Sequence, residues 1–283
     1  MNRAVGGSST YGRDVYIVGV TRMGRNRMKE ILKAGGVPFG VAVQTFNHTV
    51  IELAGSSGMD FVWLDFEHNG FSPYDIYSLE DLARTCEAAG ISPLVRIPLS
   101  DDKLIGKVLD CGILNILFTD VRDRSDAERA VKTTKFFPFD GRTLRSGGTG
   151  RSFGWNHPTL EMGRQSDDET MIGVMVESAE TVANLESILS VPGIEFMVIG
   201  ALDLSISLGV HFQRTSDEVK RQSELAFETA KRMGTAVAYL ATDTESARKA
   251  VSAGYRIVRL GVDTAILARE FKKAVSGVRQ PRN

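Results

Sequence analysis

The stretch Phe61-Val62-Trp63-Leu64-Asp65-Phe66-Glu67-His68 decides the reading of this chain. Its apolar start has the composition of a strand buried on both faces, the signature of a parallel sheet covered by helices. Its end carries three ionisable side chains. Burying unpaired charge costs several kcal/mol or more, so Asp65, Glu67 and His68 belong at the strand's mouth, facing a pocket.

Working outward, strand-like runs recur at Phe39–Val43, Phe61–Leu64, Pro93–Ile97, Asn115–Phe118, Ile172–Val176, Phe196–Ile199, Ala236–Leu240 and Ile257–Leu260. Helical patterns fall between or before them at Asn26–Ala34, Leu79–Ala89, Lys103–Leu109, Asp126–Thr134, Ala179–Leu189, Asp217–Met233 and Thr244–Ala253. Alternating β and α units imply a parallel sheet. Eight of them in about 250 residues fit a (β/α)8 barrel better than an open, doubly wound sheet. No Pro-rich linker divides them, so residues 25–275 read as one domain. The expected exceptions are an irregular insertion at 135–170, an N-terminal extension at 1–24 and a tail at 276–283. Within the extension, Val15–Val20 could form an outlying strand.

Composition narrows the class. The chain has 283 residues, 42% hydrophobic and 24% charged, with a formal net charge of −1. That balance allows a sizeable core and lacks the basic surplus of a nucleic-acid footprint. No apolar run approaches the ~20 residues that span a bilayer. Cys86 and Cys111 lack metal-ligand spacing and read as buried thiols, and a cytoplasmic location is expected.

The strand ends carry the chemistry. They run out into Asp65 and His68, Arg96, Asp120, Glu177, Gly200-Ala201-Leu202-Asp203 and Asp263. In a (β/α)8 barrel the C-terminal strand ends share one face, where active sites of this fold lie. Two carboxylates, Glu177 and Asp203, suit a hard divalent cation, Mg2+ or Mn2+. Arg96 offers a planar fork for a carboxylate or enolate oxygen, and a His held by an Asp moves protons near neutral pH. The set describes a site that polarises a 2-oxo acid and stabilises its enolate. Asp120 and Asp263 are as well explained by helix caps or salt bridges.

From Asn26 to Leu267 the sequence resembles the HpcH/HpaI aldolases, metal-dependent (class II) pyruvate aldolases acting on 4-hydroxy-2-oxo acids. The resemblance rests on Gly58–His68, Leu94-Val95-Arg96-Ile97-Pro98, Leu109-Asp110-Cys111-Gly112 and Val176-Glu177-Ser178. It extends to Gly200-Ala201-Leu202-Asp203-Leu204-Ser205 with Leu208-Gly209, and to Gly261-Val262-Asp263-Thr264. It implies a carbon–carbon lyase working through a pyruvate enolate at a divalent metal, with Mg2+ expected and Mn2+ or Co2+ as substitutes. By resemblance His68 is the base, oriented by Asp65, and Arg96 holds the enolate oxygen. Glu177 and Asp203 ligate the metal, and N–H groups near Leu202 and Asp203 receive the carboxylate. The resemblance also implies homo-oligomers, hexamers built as trimers of dimers, with the eighth helix exchanged. Asp110 would then serve a neighbouring subunit's site.

The departures lie at substrate-facing positions. Met175 stands where the family has Gln, Gly200-Ala201-Leu202-Asp203 lacks the family's Pro, and Asp120 brings an acid to the mouth. They point to the same enolate chemistry on a different substrate, with citrate-synthase-like condensation, 2-oxo acid decarboxylation or a silent 2-oxo acid binder as alternatives. The run Gly147-Gly148-Thr149-Gly150-Arg151 reads as a lid over the mouth, bringing Arg142, Arg145 or Arg151 to an acidic substrate. His48 is a candidate for the rim. His157 and His211 read as surface residues, and Trp63 and Trp155 as packing.

Overall fold

A computed structural model describes residues 25–72 and 74–279; the expected strand Val15–Val20 lies outside the described residues. Eight strands form: β1 (Phe39–Ala42), β2 (Phe61–Asp65), β3 (Ser92–Pro98), β4 (Asn115–Thr119), β5 (Met171–Val176), β6 (Ile194–Ile199), β7 (Ala236–Ala241) and β8 (Ile257–Val262). They pair parallel in sequence order, and β8 closes onto β1. The expected (β/α)8 barrel is present.

Two layers of packing follow from the strand period of two. Phe61, Trp63, Leu94, Leu117, Met175, Phe196 and Val198 fill the barrel interior. The alternate positions Val62, Leu64, Val95, Ile97, Ile116 and Phe118 pack outward in a common cluster with helical residues such as Ile51, Leu79 and Val108. Inward-facing Gly40 and Gly173 leave no room for a Cβ against the rings of Phe61 and Phe196, so the two large rings dictate the two glycines. The helix Arg27–Lys33 closes the N-terminal end. Its Met28 is fully buried in the interior cluster, and Asn26 donates to Asn115 Oδ1 at 2.7 Å.

The insertion differs from its expected role. Segment 135–170 joins the helix Arg124–Thr134 to β5, and a helix-to-strand connection lies at the N-terminal end of the barrel, opposite the mouth. It is no lid. It contains a 3-10 turn at Arg151–Phe153 and a helix at Leu160–Glu169 where irregular chain was expected. Arg145 is buried there, donating to Thr134 O and Ser166 Oγ and stacking 4.0 Å from the Phe136 ring. Arg151 donates to Cys111 O and pairs with Glu87. Arg145 and Arg151 are thus committed to packing and cannot reach an acidic substrate at the mouth.

Two further elements depart from expectation. A helix at His48–Ser56 follows β1, capped by the Asn47 side chain. At the other end, the helix Asp263–Arg279 extends into the expected tail as far as Arg279 and holds Leu267, Phe271 and Val275 exposed. Among the described residues no helix is long and apolar enough to cross a membrane.

Candidate active site

Register brings the first pair together. Asp65 closes β2 and Arg96 lies directly beside it on β3, both directed inward by alternation from Trp63 and Leu94. The Arg96 guanidinium engages both Asp65 oxygens, with Nε to Oδ1 at 2.9 Å. Its Nη1 lies 3.1 Å from Glu67 Oε2. Both members of the pair are buried. Burial alone would push the Asp65 carboxyl up; the Arg96 guanidinium and the N–H groups of Glu67 and His68 outweigh it and hold the group below its ordinary value.

His68 sits at the same mouth, with its side chain 58% exposed and Nε2 3.7 Å from Glu67 Oε2. Asp65 accepts the His68 backbone N–H at 3.4 Å and does not hold its ring. The expected Asp–His orientation is replaced by an Asp–Arg fork, because Arg96 and the backbone N–H groups occupy both Asp65 oxygens.

Opposite them, Glu177 follows β5 and accepts the Asp120 N–H at 3.0 Å. Asp120 makes that contact from a left-handed backbone conformation, φ 61°, a strained choice of the kind found at functional sites. Burial raises the Glu177 carboxyl to about 7; the Asp120 N–H opposes this, and the charges of Glu67, Asp203 and Asp120 add to it. Asp203 lies in the first turn of the helix Ala201–Ser207 after β6, and Leu202 is exposed beside it. Met175 is buried just below, on the interior face. Glu67, placed at the mouth by the sequence but given no role there, is therefore part of the site.

Among the described residues no group of three or more His, Cys, Asp and Glu side chains is arranged to hold a metal. The fit to a divalent cation rests on the pair Glu177 and Asp203. They share a mouth with the carboxylates of Glu67 and Asp120, and the mutual repulsion is a charge pattern that a hard cation relieves while leaving positions for substrate oxygens.

Other candidates fall elsewhere. Asp110 ends the helix Asp102–Asp110, which starts at the mouth and runs back to the N-terminal end, so Asp110 does not join this chain's own mouth. It packs under Gly150, and burial raises its carboxyl. His48 Nδ1 lies 2.7 Å from Thr85 Oγ1, a contact between the helices that follow β1 and β2. Asp263 is buried and accepts from Gln44 N, Thr45 N, Thr45 Oγ1 and Thr264 N, tying the β1 and β8 exits together. Its role is structural. Stacked rings of Phe46, Phe66 and Phe71 fasten the β1 and β2 exits, with centroids 4.5 to 5.6 Å apart. A cavity of about 600 Å³ lies at the N-terminal end. Its arginines are already paired, Arg25 with Glu30, Arg27 with Asp60 and Arg151 with Glu87.

Residues 39–269 match the family model described as HpcH/HpaI aldolase/citrate lyase. The chain belongs to that family. It is 30% identical over 248 residues to a hydroxypyruvate/pyruvate aldolase of Pseudomonas aeruginosa, covering 88% of this chain and 91% of that protein. A 2-keto-3-deoxy-L-rhamnonate aldolase of Klebsiella pneumoniae is 28% identical, covering 89% and 92%. Among solved structures, the citrate synthase SbnG superposes with a TM-score of 0.80 at 30% identity, covering 90% and 98%. The chain is accordingly an aldolase-type lyase of this family.

Proposed function

We propose that this HpcH/HpaI member cleaves and forms 4-hydroxy-2-oxo acids, with pyruvate or a close analogue as the enolate-forming partner and an aldehyde as the other. The observation that carries the reading is the cluster of carboxylates around Glu177 facing an arginine clamped by Asp65. Glu177 and Asp203 would hold a divalent cation, Mg2+ first and Mn2+ or Co2+ as substitutes, which when bound supplies Lewis acidity toward the 2-oxo group. Arg96, fixed by the Asp65 fork, presents its remaining N–H groups to the oxygen that gains charge in the enolate. First-turn N–H groups near Leu202 and Asp203 take the substrate carboxylate. His68 is exposed enough to exchange protons with water, and in the cleavage direction it accepts the C4 hydroxyl proton.

Met175 cannot donate to a substrate oxygen, and Asp120 adds a negative group to the mouth. Both favour an electrophile different from that of the named aldolases. Citrate-synthase-like condensation, the activity in the name of the SbnG neighbour, is the second reading. Pyruvate release from 4-hydroxy-2-oxo acids, abolished by EDTA and restored by Mg2+, tests the first. Turnover of acetyl-CoA with oxaloacetate, without such release, would replace it by the second.

The exposed Leu267, Phe271 and Val275 on the helix Asp263–Arg279 support a homo-oligomer in which this helix packs on another subunit. In such an assembly Asp110 would serve a neighbour's mouth. The buried free thiols Cys86 and Cys111 suit a reducing cytoplasm.

A further inference from the structure

Arg259 is a second guanidinium inside the barrel, and no described carboxylate pairs with it. It lies on β8 two residues after Ile257, an interior residue, so the strand period turns it inward. Its guanidinium carbon stands 5.4 Å from the centre of the Trp63 ring. Its Nε is buried without a hydrogen-bond partner. Across the interior, Thr119 Oγ1 on β4 is likewise buried and unpartnered. Burial lowers the Arg259 group to about 10, the Arg96 charge adds to this, and Asp65 opposes it. Yet both Asp65 oxygens are already taken by Arg96. A half-buried guanidinium whose Nε has no partner is costly, and a ring face compensates only part of that cost. An anion arriving with the substrate would complete the balance.

We propose that Arg259 forms an anion subsite in the barrel floor that binds the second carboxylate of a dicarboxylic 2-oxo acid. This rests on the enolate reading above, in which the first carboxylate and the 2-oxo oxygen already have partners near Leu202 and at Arg96. A further carboxylate on the same molecule is the group left for Arg259.

Calorimetric titration with pyruvate, oxaloacetate and 2-oxoglutarate in the presence of Mg2+ tests the subsite, using the native chain, Arg259→Met and Arg259→Lys. The native chain should bind at least one dicarboxylic acid more tightly than pyruvate. In Arg259→Met the ratio of those two affinities should fall by about tenfold or more, the loss expected for a charged hydrogen bond. Arg259→Lys should retain part of it, since the charge remains and the fork is lost. A native chain that binds none of the acids, or does not prefer a dicarboxylic one, overturns the subsite. So does an Arg259→Met chain that keeps the native ratio or weakens all acids alike. Failure of the enolate reading shows separately, as tight binding without solvent exchange at C3.

Discussion

Replacing Glu177 by Gln tests the electrostatics of the mouth without removing the atom that accepts the Asp120 N–H. The native carboxyl ionises near 7 against an ordinary value of 4.5, through burial first and the neighbouring Glu67, Asp203 and Asp120 charges after it. The folded state therefore binds more protons than the unfolded state between those values. Stability from this group is fully present below 4.5 and is lost as pH rises through about 7. At about 1.4 kcal/mol per unit of pKa the full effect is about 3.5 kcal/mol. Partial solvent access reduces it to about 1–2 kcal/mol. For a chain of this size that is roughly 2–3 °C in Tm. Differential scanning fluorimetry from pH 5 to pH 8 in EDTA should show the native Tm falling by that amount relative to Glu177→Gln. Mg2+ should restore the native chain at pH 8 and leave the variant unmoved. Parallel pH profiles for the two proteins would refute the placement of Glu177 in a desolvated carboxylate cluster.

Two other substitutions separate the ends of the barrel. Arg145→Met removes a buried guanidinium bonded to Thr134 O and Ser166 Oγ at the end opposite the mouth. It should cost about 2–4 kcal/mol in urea unfolding, with Mg2+ affinity unchanged in calorimetry. Asp263→Ala strips the acceptor from Gln44 N, Thr45 N and Thr264 N, and a similar loss of about 2–4 kcal/mol is expected. Hydrogen exchange should quicken at the β1 and β8 exits in that variant; an unchanged pattern would contradict the clamp.

The barrel was legible because parallel strands covered on both faces are written as continuous apolar runs, and all eight appear near their expected positions. Asp65 and Arg96 were legible as strand-end charges, but their pairing with each other depends on the β2–β3 register, which no single strand encodes. That register is why Asp65 clamps Arg96 and leaves the His68 ring free. The helix His48–Ser56 was missed because Thr49, Val50 and Ile51 are β-branched, and its start depends on the Asn47 cap. Segment 135–170 was misplaced from its glycine content, although its position between a helix and a strand assigns it to the N-terminal end. Arg259 was hidden inside an apolar strand, and only the inward phase set by Ile257 exposes it.

Deuterium incorporation at C3 of pyruvate, followed by proton NMR in D2O with Mg2+ and with EDTA, reports directly on enolate formation. The native chain should exchange the methyl protons with Mg2+ present, and both EDTA and His68→Ala should stop it by at least about a hundredfold, the scale of general acid–base catalysis. Exchange that persists in His68→Ala would remove that residue from the proton transfer. No exchange in a native chain that binds both Mg2+ and pyruvate would contradict the enolate chemistry itself.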